Sequence, residues 1–213
     1  RSPSRGLGDV YKRQVSIGSA SLRNAVGGNY NVAVGRSALN LNINGANNTA
    51  IGYQAAYNST ASGNTAIGFK AAYSNTGGFI SAAVGHSALY SNTTGSGLIG
   101  IGYQALYANT TGSNNVAVGE QSLQANTTAS NNTAVGYQAA YTSTTNGSIT
   151  AIGANALQSN TAADNTAIGY QAGNANTTGT GNFFGGSLAG QKNTTGNGNT
   201  AIGTSYSGVA LPA

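Results

Sequence analysis

The 213-residue chain contains no cysteine. Disulfide staples and cysteine-based metal centres are thereby excluded, which is compatible with an extracellular structural role. Charge is almost as scarce, with eight basic and three acidic residues making up 5% of the sequence. Arg1, Arg5, Lys12 and Arg13 crowd into the first fourteen positions with Asp9. From Val15 onward, Arg23, Arg36, Lys70 and Lys192 are set against Glu120 and Asp164, which leaves 4 − 2 = +2. No basic stripe exists to release phosphate counterions, so nucleic acid is not an expected partner. No apolar run is long enough to cross a membrane as a helix. One histidine, His86, and the scattered acids Asp9, Glu120 and Asp164 offer no Ser/His/Asp set. They offer no carboxylate cluster for a hard cation either. The expectation is a protein that is not an enzyme, with no catalytic residues, no metal and no cofactor.

What the chain has instead is a repeat. Ala-Ile/Val-Gly, usually behind Asn-Thr or Asn-Val, returns at a short and nearly constant interval, at Gly18, Gly35, Gly52, Gly68, Gly85, Gly102, Gly119, Gly136, Gly153, Gly169, Gly185 and Gly203. Seven of these eleven spacings are 17. So short a period does not accommodate a helix-turn-helix unit but fits one coil of a β-solenoid. The prediction is an all-β chain: a parallel β-solenoid or β-roll of about 12 coils of about 17 residues, continuous over residues 15–213. Residues 1–14 do not fit the repeat and have no apolar h-region. They resemble translated sequencing-adapter read-through and are set aside as a non-repeat leader.

Each column of the repeat makes a demand. The residue before the glycine is β-branched in eleven coils, with Phe184 the exception, and such residues favour strands. Ile51, Ile67, Val84, Ile101, Val118, Val135, Ile152, Ile168 and Ile202 form this predicted core column, serving the interior or inter-chain contacts. Two residues before the glycine stands Ala in most coils, on the opposite face of the strand, which implies close approach of another backbone layer. The glycine suits a corner with positive φ. Beyond it, Ala or Ser followed by Leu or Ala reads as a second short strand, and the Asn-Thr runs read as a polar turn. Two aromatic columns, Tyr53, Phe69, His86, Tyr103, Tyr137, Tyr170 and Tyr57, Tyr73, Tyr90, Tyr107, Tyr141, should stack along the axis with ladders of Asn. His86 and Glu120 are then substitutions within a ladder column.

The segment Asn48-Thr49-Ala50-Ile51-Gly52-Tyr53-Gln54-Ala55 resembles the head repeat of trimeric autotransporter adhesins, the YadA-like head. So do the segments 31–38, 64–71, 115–122, 132–139 and 165–172, and the resemblance covers nearly all of residues 15–213. It implies a left-handed parallel β-roll, three chains around a common axis, and attachment to surfaces or matrix proteins. The coil here is about three residues longer than the family's, and no coiled-coil heptads appear.

Asn-x-Ser/Thr sequons make Asn58, Asn92, Asn109, Asn126, Asn131, Asn146, Asn176 and Asn193 candidate glycosylation sites, several of them in the Asn-Thr turn; Asn47 heads another. Uncapped solenoid edges pair with further chain. The functional expectation is an extracellular or cell-surface structural fibre or filament subunit that self-associates head to tail, its Asn-Thr turns either carrying glycans or serving simply as polar turn chemistry that faces water. The alternative is a trimeric adhesin head binding a surface or matrix ligand. A remote alternative is ice binding through the column Thr49, Thr65, Thr133, Thr150, Thr166 and Thr200.

Overall fold

A computed structural model describes residues 13–204. It is a parallel β-solenoid without helix in the described residues. Each coil contributes one three-residue strand to a single sheet, from β1 (Val15–Ile17) to β12 (Thr200–Ile202), in the order of the sequence. All eleven pairings are parallel and in register, so that Thr49, Ala50 and Ile51 lie beside Thr65, Ala66 and Ile67. Shorter and longer coils keep the same register, because the difference in length is absorbed in the polar turn.

Hydrogen bonding between coils does not stop at the strands. Ser37 N–H donates to Ser19 of the coil before (2.8 Å), whereas Leu39 N–H and Leu41 N–H donate to Ala55 and Tyr57 of the coil after (3.0 Å each). A continuous backbone ladder therefore surrounds an interior that water does not reach, as buried peptide groups require.

The stretch beyond the glycine is not the second strand that the sequence led one to expect. Its residues two and four past the corner take positive φ in nearly every coil, for example Gln104 at 54° and Leu106 at 52°. Left-handed non-glycine residues cost roughly 1–2 kcal/mol each. Here the cost is offset by the coil-to-coil bonds and by burial of the side chain at the fourth position, where Leu22, Leu39, Leu106, Leu123 and Leu157 are all 0% exposed. The corner itself needs glycine. At Gly119, φ is 132°, and a Cβ would lie 2.5 Å from the Gly136 carbonyl oxygen of the next coil.

The interior is alanine, leucine and asparagine. Ala33, Ala50, Ala66, Ala83, Ala117, Ala134, Ala151 and Ala167, the centres of their strands, are buried. They lie so close to the Leu column that only a methyl fits between them. In β6 (Ile99–Ile101), where Gly100 replaces the alanine, a Cβ would meet Leu89 Cγ at 3.1 Å.

Two expectations are corrected by this packing. First, the β-branched column is not the interior of the chain. Ile51, Ile67, Ile101, Val135, Ile152 and Ile168 are 36–44% exposed, Ile202 more so, and Val84 and Val118 are half-buried. The flat cross-section leaves no room for more than Ala inside the strand, so alternation puts Ile and Val outside. Second, the repeat glycine of the penultimate full coil is Gly186, not Gly185. β11 (Phe183–Gly185) pairs Phe184 with Ala167 and Gly185 with Ile168, and Gly186 holds the corner φ of 122°. Arg13 and Gln14, assigned above to the leader, stack on the next coil: Arg13 lies over the Tyr30 ring at 5.9 Å, and Gln14 Nε2 donates to Gly28. The rest of the leader, residues 1–12, lies outside the described residues.

Candidate interaction surface and modification sites

The outward Ile/Val column is joined, across the glycine corner, by exposed Tyr53, Phe69, Tyr103, Tyr137 and Tyr170. The result is a largely apolar stripe along the sheet, interrupted at Gly185 in the Ile/Val column and at Ser19, Arg36, Glu120 and Ser187 in the aromatic column. Twelve strands at about 4.8 Å make it about 55 Å long, and three residues at about 3.3 Å make it about 10 Å wide. An area of about 550 Å² lies at the upper end of what a monomer leaves uncovered. The Thr column shares this outer face, but Val32, Ala82, Ile99, Val116 and Phe183 break it into short runs.

The aromatic columns stack as expected through coils three to six. Tyr57, Tyr73, Tyr90 and Tyr107 have ring centroids 5.2–5.3 Å apart and planes within 11°. In the neighbouring column His86 sits between Phe69, at 4.8 Å, and Tyr103, at 5.4 Å. Each such pair is worth about 0.5–1.5 kcal/mol beyond its buried area. Burial in the stack, reinforced by neighbouring Tyr90, Tyr57 and Tyr53, holds the Tyr73 hydroxyl above the usual tyrosine range.

Lys70, to which the sequence pattern assigns no role, places Nζ 5.4 Å from the Phe69 ring and 5.5 Å from the Tyr73 ring. It thereby ties the two columns together. A glutamine ladder was also missed: Gln138 Nε2 donates to Gln121 Oε1 at 2.8 Å, and Gln121 to Gln104 at 3.3 Å. Its signal was the recurrence of Gln two residues past the glycine.

The asparagines divide into interior and surface, and this division corrects the glycosylation candidates. Asn92, Asn109, Asn126 and Asn176 are buried. Their side chains form an axial ladder in which Asn109 Nδ2 donates to Asn92 Oδ1 (2.9 Å) and Asn126 Nδ2 to Asn109 Oδ1 (2.7 Å). Each also staples its own turn, as when Asn109 Nδ2 donates to Gly112 at 3.0 Å. Asn193 extends this ladder, donating to Asn176 Oδ1 at 2.9 Å. A sugar on Asn92, Asn109, Asn126 or Asn176 is incompatible with the folded coil, because the residue is buried and its Nδ2 donors are committed, whereas Asn193 is half-buried. Asn131 and Asn146 are exposed and Asn58 is half-buried.

The threonines divide in the same way. Thr93 and Thr110 spend their hydroxyls on the carbonyls of the next coil, at 2.9 and 3.0 Å, while the residues that follow them, Thr94 and Thr111, are exposed.

Among the described residues no three His, Asp or Glu side chains converge to hold a metal ion, and no helix is long and apolar enough to cross a membrane. Asp164 takes a turn position with φ of 60°, and Glu120 is exposed in the aromatic column. No family model, no curated protein and no solved structure matches this chain.

Proposed function

We propose that the chain is a non-enzymatic structural segment of an extracellular fibre, built from several copies whose apolar stripes cover one another. One observation carries this reading: the large β-branched and aromatic side chains stand outside the coil and the small ones inside. Two stripes of about 550 Å² in contact hide about 1,100 Å², enough for a specific interface. The stripe is nearly free of charge, so burying it leaves almost no unpaired ion. Arg36 and Glu120 lie in its aromatic column. The adhesin-head alternative rests on the Asn-Thr-Ala-Ile-Gly resemblance and uses the same stripe, with three chains and a ligand-binding surface elsewhere. In either case N-linked sugar is confined to the surface sequons, chiefly Asn131 and Asn146.

Light scattering of the full chain after size-exclusion chromatography tests the reading. The natural chain should be oligomeric. The variant Ile67→Lys/Ile101→Lys/Ile152→Lys should be monomeric with an unchanged circular dichroism spectrum, because these side chains fill no interior space. A monomeric natural chain refutes the proposal. Electron microscopy of the assembled form then separates long filaments, favouring a fibre, from discrete three-chain bundles, favouring an adhesin head.

A further inference from the structure

We infer that Asn146 is a modification site at which the folded rod deamidates spontaneously. The sequence holds three Asn-Gly pairs, at 44–45, 146–147 and 197–198. Such pairs are the most reactive toward succinimide formation, because glycine puts no side chain in the way of its own nitrogen. In the reaction the Gly backbone nitrogen attacks Cγ of the Asn carboxamide. The new N–Cγ bond forms as the Cγ–Nδ2 bond breaks; the proton given up by the glycine nitrogen is passed through solvent to Nδ2, which leaves with its own two protons and this third one as ammonia. Water then opens the ring at either carbonyl to give aspartate or isoaspartate. The glycine N–H must therefore be free to lose its proton, and the side chain must be free to swing onto it.

The fold denies this to two of the pairs. Gly45 N–H donates to Asn42 Oδ1 at 2.7 Å, and Gly45 is buried. Gly198 N–H donates to the Thr180 carbonyl at 2.9 Å, while Asn197 Oδ1 is held by Thr180 N–H at 2.7 Å. At the third pair Asn146 is exposed, and Gly147 N–H has no partner among the described residues. The one restraint on the Asn146 side chain is its Nδ2 bond to the Thr161 carbonyl, made at the surface.

The reason lies one turn earlier in the sequence. In most coils an asparagine seven residues past the corner staples the turn, as Asn75 does by donating to the Gly78 carbonyl at 2.7 Å and accepting from Gly78 N–H at 2.9 Å. The coil of Asn146 has Ser143 there instead. Its shorter side chain reaches the Asn146 carbonyl only at 3.5 Å and leaves Asn126 Oδ1 buried without a partner. Missing staple, exposed asparagine and unbonded glycine nitrogen thus coincide in one turn. The product carboxylate lies one coil from Asp164, whose N–H donates to Gly147 at 3.3 Å, so the modification concentrates negative charge on a nearly uncharged rod.

The test is peptide mapping by mass spectrometry of the full chain held at mildly alkaline pH, folded and in denaturant. In denaturant all three asparagines should convert at similar rates. In the folded chain Asn146 should keep most of that rate, while Asn44 and Asn197, which react only after local opening, should slow by at least about tenfold. Ser143→Asn should slow Asn146 in the folded chain alone. Protection of Asn146 equal to that of Asn44 and Asn197 in the unglycosylated chain overturns the inference.

Discussion

Phe184 offers the sharpest test of the packing. It occupies the column that holds alanine in most other coils, and it is fully buried. Room for its ring comes from two glycines in the leucine column: a Cβ at Gly173 would lie 2.4 Å from Phe184 Cδ2, and one at Gly190 would lie 2.1 Å from Cδ1. Phe184→Ala removes the ring and opens a cavity that rigid stacked backbone cannot close, at a cost of about 3–5 kcal/mol. Gly190→Leu alone should be comparably damaging, since the ring has nowhere to go. The triple change Phe184→Ala/Gly173→Leu/Gly190→Leu should recover most of the loss. It recreates the arrangement at Ala117, where Leu106 and Leu123 take the equivalent positions with φ of 52° and 47°. A solenoid unfolds by neighbouring coils rather than all at once, so the readout is local hydrogen exchange at Gly173 N–H and Phe183 N–H, bonded to Ala189 and Asn199. Phe184→Ala should speed it by about two to three and a half powers of ten, at about 1.4 kcal/mol per decade. A triple variant that exchanges as fast as Phe184→Ala, or a Gly190→Leu variant that exchanges as slowly as the natural chain, would refute the reasoning.

Ser143→Asn should stabilise its coil by about 1 kcal/mol or more, because it gives the buried Asn126 Oδ1 a donor; a higher urea midpoint checks this. Stability should also fall in strong alkali through the tyrosine stack. The Tyr73 hydroxyl is held above its ordinary range, so the folded chain keeps a proton that the unfolded chain gives up. The contribution is therefore intact below the ordinary tyrosine value and is lost as pH rises through and above it. Tyr73→Phe should lessen that alkaline loss in a circular-dichroism titration and leave neutral-pH stability nearly unchanged.

The coil length, the parallel stack, the glycine corner and the ladders were legible because each repeats at the solenoid period. What was not legible was which face of the strand is inside. Alternation separates Ala50 from Thr49 and Ile51 but gives no sign, and the habit of burying isoleucine supplied the wrong one. The sequence does hold a signal of the sign. Where the alanine column gains a ring at Phe184, the leucine column loses side chains at Gly173 and Gly190. Compensation of volume between columns occurs only where they share an interior. The same compensation fixes the corner at Gly186, which stands midway between Gly169 and Gly203. The sequons misled for a related reason: Asn-Thr-Thr-Gly is good turn chemistry on a surface, but here the asparagine of the turn points inward. Nothing short of the ladder geometry tells Asn109 from Asn131.

An interior of alanine, leucine and asparagine under an exterior of isoleucine and tyrosine has a consequence for the proposed assembly. Burying the exposed part of one Ile or Val is worth about 1 kcal/mol, too little for one coil to hold a partner. Association costs about 4–15 kcal/mol in lost translational and rotational freedom however long the rod. The gain therefore grows with every coil while that cost is met once. Over about ten coils the two become comparable, and in the proposed assembly contacts made by the exposed Tyr103 and Tyr137 would tip the balance. In-register stacking makes this summation possible, since it holds each outward side chain at the same height and spacing as the last. In the proposed assembly periodicity would be the means by which a weakly sticky surface becomes a specific one, and a coil that broke register would forfeit the contributions of those beyond it.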